Sequence, residues 1–345
     1  MVKNSNSILF QDISHLIESA KNHVARQTNS TLVNLYWRIG NRINQDILKN
    51  KRAEYGNTII KQLAQQLTIK YGRGFNTRGL FKMVRFVKLF PDETIVPTLS
   101  ALLSWSHFDE LTGIEEPLKR QFYTEMCRLE HWSVRELRKK IDGMLYERTA
   151  ISHKPEQVIQ QDLATLREKN EVSQDLVFRD PYILDFLSLP NAFSESNLEY
   201  AILDEITRFL QELGNDFCFI GRQKRIMIDN DDYYIDLLTF HRSLRRLVAI
   251  ELKLGKFTAN YKGQMELYLN WLNKYERKKG ENKPLGLILC AEKKQEHIEL
   301  LELNSSGIHV AQYLTQLPPK EVLGKRLRRA IEIAQEKQDK RISDN

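Results

Sequence analysis

YYIDLLTFHRSLRRLVAIELKL, residues 233–254, decides the fold of the second half of this chain. Side chains alternate between the two faces of a strand. In LVAIELKL, Val248, Ile250, Leu252 and Leu254 therefore form one apolar face, while Ala249, Glu251 and Lys253 share the other. A carboxylate and an ammonium project together beside a small residue, on a strand whose opposite face suits a core. Upstream, Asp236 interrupts the apolar run IDLLTF. The two runs meet near Ser243–Leu244 and are expected to pair as a hairpin, in which opposed residues share a face. Asp236 joins Glu251 and Lys253 only if paired residue numbers sum to an odd value. A two- or four-residue connection gives this; a three-residue one needs a bulge.

Two carboxylates converging on a sheet are costly without a cation. Mg²⁺ (or Mn²⁺) is a hard ion that takes one or two carboxylates and keeps waters for a substrate phosphate. It acts as a Lewis acid and lowers the pKa of bound water. Lys253 is then placed to orient that water or to stabilise charge on phosphorus. The set Asp236, Glu251 and Lys253 points to metal-dependent phosphodiester hydrolysis. An isolated Glu-x-Lys is ordinarily a solvated strand face; the Asp 15 residues upstream with the alternation intact separates this case from that one. The next helix adds Gln264 and Tyr268 on one face at i, i+4. Gln264 is a candidate for the metal shell or a phosphate, and Tyr268 for packing or nucleic-acid contact. Glu199 on the preceding helix, with Glu205 as the alternative, is a third candidate metal carboxylate.

Outward from this hairpin the pattern is mixed α/β. An amphipathic helix is expected over 198–213, stopped by Gly214. Strands follow at 217–228 (one bent strand or two), 232–241 and 246–254, a helix at 258–275, strands at 284–292 and 309–314, and a charged helix at 319–340. Residues 151–196 read as a helix and a connector. The first 150 residues are helical: two helices over 8–48, one over 57–71, a Gly/Arg-rich turn YGRGFNTRG at 71–79, a short helix from Leu80 to Leu89, and further helices over 98–112 and 117–150. Ser133 and Glu136 have the spacing of a capping box. Trp105, His107 and Trp132 read as packing residues. The turn lacks a preceding strand and a G-K-[ST] ending, so it is not a nucleotide loop. Helix, turn and basic helix loosely suit a helix-turn-helix-like reader.

Charge separates the halves. Of 345 residues, 52 are Lys or Arg and 45 Asp or Glu, a net of +7. Residues 1–150 hold 23 basic and 15 acidic residues, or +8, and the rest hold 29 and 30, or −1. Between Arg38 and Lys88 there are twelve basic residues against Asp46 and Glu54. Such a surface binds polyanions with salt-sensitive affinity, and Arg73, Arg78, Lys82 and Arg85 are the expected phosphate contacts. No stretch reaches the ~20 apolar residues of a membrane helix, and the N-terminus has no secretory pattern. Cys127, Cys218 and Cys290 are far apart, which argues against a disulfide framework or zinc site and fits a reducing cytoplasm. His-Glu-x-x-His is absent, His241 falls on the opposite face from Asp236, and Cys290 reads as a buried small hydrophobe.

The order Glu199, Asp236, Glu251-Leu252-Lys253, Gln264-x-x-x-Tyr268 resembles the PD-(D/E)XK nuclease superfamily and its RecB-like branch. FIGRQKR (219–225), residues 233–257 and GQMELYLNW (263–271) resemble more closely the bacterial YhcG-type proteins. LSWSHF (103–108), HWSVREL (131–137), YERT (146–149) and YLTQLPPKE (313–321) extend that resemblance over nearly the whole chain. It implies an α+β chain: an all-helical, DNA-binding domain over 1–150, a helical connector over 151–196, and a restriction-endonuclease-like α/β domain with a mixed central sheet over 197–345. It implies that Asp236 and Glu251 bind metal and that Lys253 serves catalysis, although Ile235 stands where the superfamily's nominal Pro would be. The expectation is a cytoplasmic, Mg²⁺-dependent deoxyribonuclease acting on duplex or branched DNA, with a homodimer expected by analogy. The alternative is a DNA-binding or scaffolding protein whose nuclease fold is inactive or needs a partner, and an RNA substrate is a more distant option.

Overall fold

Among the described residues, helices form the chain up to Leu213 apart from the two-residue strand Tyr182–Ile183, and longer strands begin at Phe217. The computed structural model describes residues 2–49, 53–152, 156–169, 172–187, 194–294, 298, 300–301, 303–316, 318–319, 321–322 and 325. Most of the terminal helix expected over 319–340 lies outside them. The chain divides into two compact units between Lys139 and Lys140.

The first unit is built from α1 (Val2–Lys49), α2 (Ala53–Tyr71), α3 (Thr77–Leu89), α4 (Ile95–Ser100), α5 (Trp105–Thr112), α6 (Pro117–Glu130) and the start of α7 (Val134–Asp142). The two helices expected over 8–48 are one helix, α1. Its polar stretch around Asn29 does not end it, because those side chains bond elsewhere. Asn29 donates to the Ser100 and Leu103 carbonyls at 3.0 Å each, and Ser30 bonds Ser100 at 2.8 Å. At Gly40 a Cβ would lie 2.2 Å from the Met83 carbonyl oxygen, so only glycine lets α3 pass this close to α1. Ile43, Ile60, Ala64, Leu80, Met83 and Val84 fill the contact. Between α2 and α3 the Gly/Arg turn forms a short 3₁₀ segment, Arg73–Phe75, and Asn76 caps α3 by accepting from the Gly79 N–H at 2.8 Å. Ser133 and Glu136 bond reciprocally at the start of α7, at 2.7 and 3.3 Å. His107 and Trp132 are buried, and Trp105 packs edge-on against Tyr36 and Phe86.

The second unit comprises α8 (Leu145–Ser152), α9 (Glu156–Lys169), α10 (Gln174–Val177), β1 (Tyr182–Ile183), α11 (Glu195–Asp204), α12 (Ile206–Leu213), β2 (Phe217–Ile228), β3 (Asp231–His241), β4 (Arg246–Lys256), α13 (Asn260–Tyr275), β5 (Leu285–Glu292) and β6 (Ile308–Leu314). The six strands form one mixed sheet in the order β1-β6-β5-β4-β3-β2. β2, β3 and β4 are antiparallel; β4, β5, β6 and β1 are parallel. The stretch read as a helix and connector thus also supplies an edge strand, and its Phe178 and Tyr182 are buried in the core. The single helix expected over 198–213 is broken at Glu205, whose backbone (φ −110°, ψ 28°) leaves the helical region.

The alternation in β4 separates two cores. Val248, Ile250 and Leu252 pack with Leu198 and Ile202 of α11 and Phe209 and Leu213 of α12. On the other face Ala249 packs with Ile288 and Cys290 of β5 and with Met265, Tyr268, Leu269 and Leu272 of α13. Helices therefore cover both faces, as buried parallel strands require. At Gly286 a Cβ would meet the Met265 side chain at 2.5 Å, so the missing side chain lets α13 lie close on β5.

Candidate active site

The β3–β4 pairing sets Leu237 opposite Ile250 and His241 opposite Arg246, closed by the four-residue connection 242–245. Those numbers sum to 487, an odd value, so one step further Asp236 stands opposite Glu251. There the backbone ladder gives way to side chains. The Leu252 N–H donates to Asp236 Oδ2 at 2.9 Å, and the Asp236 N–H donates to Glu251 Oε1 at 3.4 Å. Lys253 Nζ lies 3.1 Å from Glu251 Oε2 and 5.4 Å from the Tyr261 ring centroid. Asp236, Glu251 and Lys253 thus come together at one end of the hairpin, with Glu251 only 3% exposed.

The electrostatics show a site short of positive charge. Burial, reinforced by the charge of Asp236, pushes the Glu251 carboxyl up to about 7 against the pull of Lys253. Burial also raises Asp236, and burial followed by the charge of Asp236 raises Glu199. For Lys253, burial acts to lower the pKa, but Glu251, Asp236 and Glu195 outweigh it and hold the ammonium above its usual value. Lys253 is therefore a hydrogen-bond donor at neutral pH.

Glu199, rather than Glu205, is the helix carboxylate beside this cluster. Gln223 Nε2 donates to Glu199 Oε2 at 3.0 Å and to Asp236 Oδ1 at 3.2 Å. Glu205 instead pairs with Arg208 at 3.4 Å. Gln223 and Glu195, which accepts from the Leu254 N–H at 3.3 Å, belong to no motif; FIGRQKR contains Gln223, but nothing in its residue type marks it. Gln264 donates to the Tyr268 hydroxyl at 2.6 Å, and that hydroxyl donates to the Tyr234 carbonyl at 3.2 Å. The structure corrects the expectation that Tyr268 contacts nucleic acid: it is 1% exposed, and its hydroxyl is spent on anchoring β3 two residues before Asp236. His241 is buried and takes no part in the site; its ring meets Phe217 edge-on and accepts from the Leu244 N–H at 3.1 Å.

Among the described residues no group of three or more His, Cys, Asp or Glu side chains is gathered as a metal cage. The donor set nevertheless fits a hard divalent ion of the Mg²⁺ kind, which is bound through one or two carboxylates and keeps its remaining waters. Asp236 and Glu251, with Glu199 nearby, are the side chains that would hold it.

In the first unit Arg73, Arg78 and Arg85 are exposed. Lys82 is half-buried and paired with Asp109 at 2.5 Å, so part of its charge is already matched. Among the described residues no helix is long and apolar enough to cross a membrane.

Residues 175–330 match the YhcG PDDEXK nuclease domain, and residues 12–148 match the DUF1016 N-terminal domain. The chain is 34% identical over 356 aligned positions to "Putative nuclease YhcG" of Escherichia coli (strain K12), covering 94% of both chains. Among solved structures, a repair endonuclease from Pyrococcus abyssi matches 38% of this chain and 50% of its own at 17% identity, with a TM-score of 0.26. The EndoMS–dsDNA2 complex matches 39% of this chain and 49% of its own at 20% identity, with a TM-score of 0.27. At those scores, and over about half of each solved chain, these two likenesses carry no argument. The identity along almost the whole length does: the chain belongs to the YhcG family of PDDEXK nuclease-domain proteins.

Proposed function

We propose that this nuclease-family chain is a DNA endonuclease that requires Mg²⁺ or Mn²⁺. The observation that carries the proposal is the meeting of Asp236, Glu251 and Lys253 at one end of the β3–β4 hairpin, with Lys253 Nζ 3.1 Å from Glu251. When bound, the divalent ion supplies Lewis acidity and makes a water nucleophilic at neutral pH. Asp236 and Glu251 hold it, with Glu199 as a third carboxylate. Lys253 keeps its proton, orients the attacking water and donates to the phosphate oxygens as negative charge grows on them. Tyr268 and Gln264 act behind this set: their hydrogen bonds fix the stretch of β3 that carries Asp236.

The helical unit supplies sequence-independent affinity. Arg73, Arg78 and Arg85, with a smaller share from Lys82, contact backbone phosphates of duplex or branched DNA. A homodimer that cuts both strands and a cytoplasmic location complete the proposal.

The test is incubation of the purified chain with supercoiled plasmid, a branched junction and single-stranded RNA, each with Mg²⁺, Mn²⁺ or EDTA. The proposal expects metal-dependent cleavage of DNA and none in EDTA. Cleavage of RNA alone would replace the substrate. Binding without cleavage under every metal condition would leave a DNA-binding protein with an inactive nuclease fold.

A further inference from the structure

Six non-glycine residues among those described have a positive φ: His131, Met144, Gln223, Asp229, Asn230 and Arg245. His131 and Met144 lie at helix ends, Asp229 and Asn230 turn β2 into β3, and Arg245 lies in the β3–β4 connection. Gln223 is the exception. It sits inside β2 with φ 44°, a conformation that bulky side chains rarely adopt. The flanking pairs Arg222↔Leu237 and Lys224↔Ile235 put it across from Asp236. Local strain of this kind persists where surrounding structure enforces it, and it gathers at functional sites.

The consequence is visible at the end of the side chain. An amide nitrogen carries two N–H donors, and Gln223 uses Nε2 for two carboxylates from different elements: Glu199 of α11 at 3.0 Å and Asp236 of β3 at 3.2 Å. Like charges brought together from separate elements repel, and a donor between them offsets that. A Lys or Arg here would also draw them together, but its charge would compete with a bound cation. A neutral amide gathers the carboxylates and leaves their charge for the ion.

We infer that Gln223 is a positioning residue that holds Glu199 against Asp236 and so completes the divalent-cation site. This rests on the metal site of the proposed function. Hydrogen-bonding partners behind metal-ligating groups typically govern about 10- to 100-fold in affinity.

The test measures Mn²⁺ binding by calorimetry on the full chain, beside thermal unfolding in EDTA, for the wild type, Q223G and Q223N. Glycine relieves the backbone, and asparagine tolerates it while carrying an amide one methylene too short. In Q223G the relieved backbone offsets the lost hydrogen bonds, so that variant is expected to unfold no earlier than the wild type, and both variants are expected to bind Mn²⁺ about ten-fold or more weakly. Adding E199Q to Q223G should cost little further affinity, because the two changes remove one contact. Wild-type affinity in both variants, or weaker binding that tracks a lowered unfolding temperature, would overturn the role of Gln223. Failure of the wild type to bind Mn²⁺ at all would overturn the metal site itself, and the inference with it.

Discussion

Glu251→Gln should make the metal-free protein more stable at neutral and alkaline pH. Glu251 is 3% exposed, and its pKa rises from 4.5 to about 7, chiefly through burial. A carboxyl whose folded pKa lies above its unfolded value binds its proton more tightly when folded. It therefore loses stability as pH rises from about 4.5 through about 7. At 1.36 kcal/mol per pH unit the full loss is about 3 kcal/mol. Glutamine carries no charge and escapes it, but it cannot serve both of Glu251's partners. With its oxygen accepting from the Asp236 N–H, its nitrogen faces Lys253, which costs about 1–2 kcal/mol. The variant should therefore be slightly less stable than the wild type near pH 4.5 and about 1–2 kcal/mol more stable at pH 8. Urea unfolding in EDTA across that range, with the wild type as reference at each pH, reads the difference. The comparison matters because His241 titrates in the opposite sense in an overlapping window. A difference that does not change with pH would refute the reasoning, since Glu251 would then carry its charge in the folded protein at no cost.

His241, held down to about 4 chiefly by burial, destabilises the fold as pH falls from about 6.5 toward 4, by up to about 3 kcal/mol; His241→Asn keeps an acceptor for the Leu244 N–H and should flatten that limb of the unfolding curve, and an unchanged limb would contradict the assignment. Replacing Arg73, Arg78 and Arg85 together by Ala should lower the salt slope of DNA binding by about 2.7, or about 40-fold in affinity change between 50 and 200 mM salt, across all sequences. Lys82→Ala should change it by less than about 0.9 because Asp109 already pairs with that side chain; an unchanged slope in the triple variant would move the DNA surface elsewhere. Tyr268→Phe leaves the Gln264 amide and the Tyr234 carbonyl without the hydroxyl between them. It should cost about 1–2 kcal/mol in urea unfolding and slow cleavage by loosening β3 ahead of Asp236, whereas wild-type stability would show that the hydroxyl anchors nothing.

What could be read from the chain depended on period and register. Alternation in LVAIELKL sorts Val248, Ile250 and Leu252 from Ala249, Glu251 and Lys253 because both faces of β4 obey it, although the second face also packs as a core through Ala249, and the four-residue connection meets the odd-sum condition that brings Asp236 to Glu251. Features that depend on departures from regular backbone were hidden. Gln223 reaches the carboxylates through a left-handed conformation inside a strand, which no alternation rule anticipates. The break at Glu205 and the continuity of α1 past Asn29 turn on local dihedrals and on distant partners for polar side chains, respectively. The i, i+4 spacing puts Tyr268 beside Gln264, but the burial of Tyr268 comes from α13 lying close on Gly286, a contact between elements far apart in sequence.

The most direct test of the central claim is anomalous diffraction from crystals soaked in Mn²⁺. The account predicts a peak within coordination distance of both the Asp236 and Glu251 carboxylates, with Lys253 beside it but not bound to it. A protein that cleaves DNA with Mn²⁺ yet binds the ion only elsewhere would contradict it.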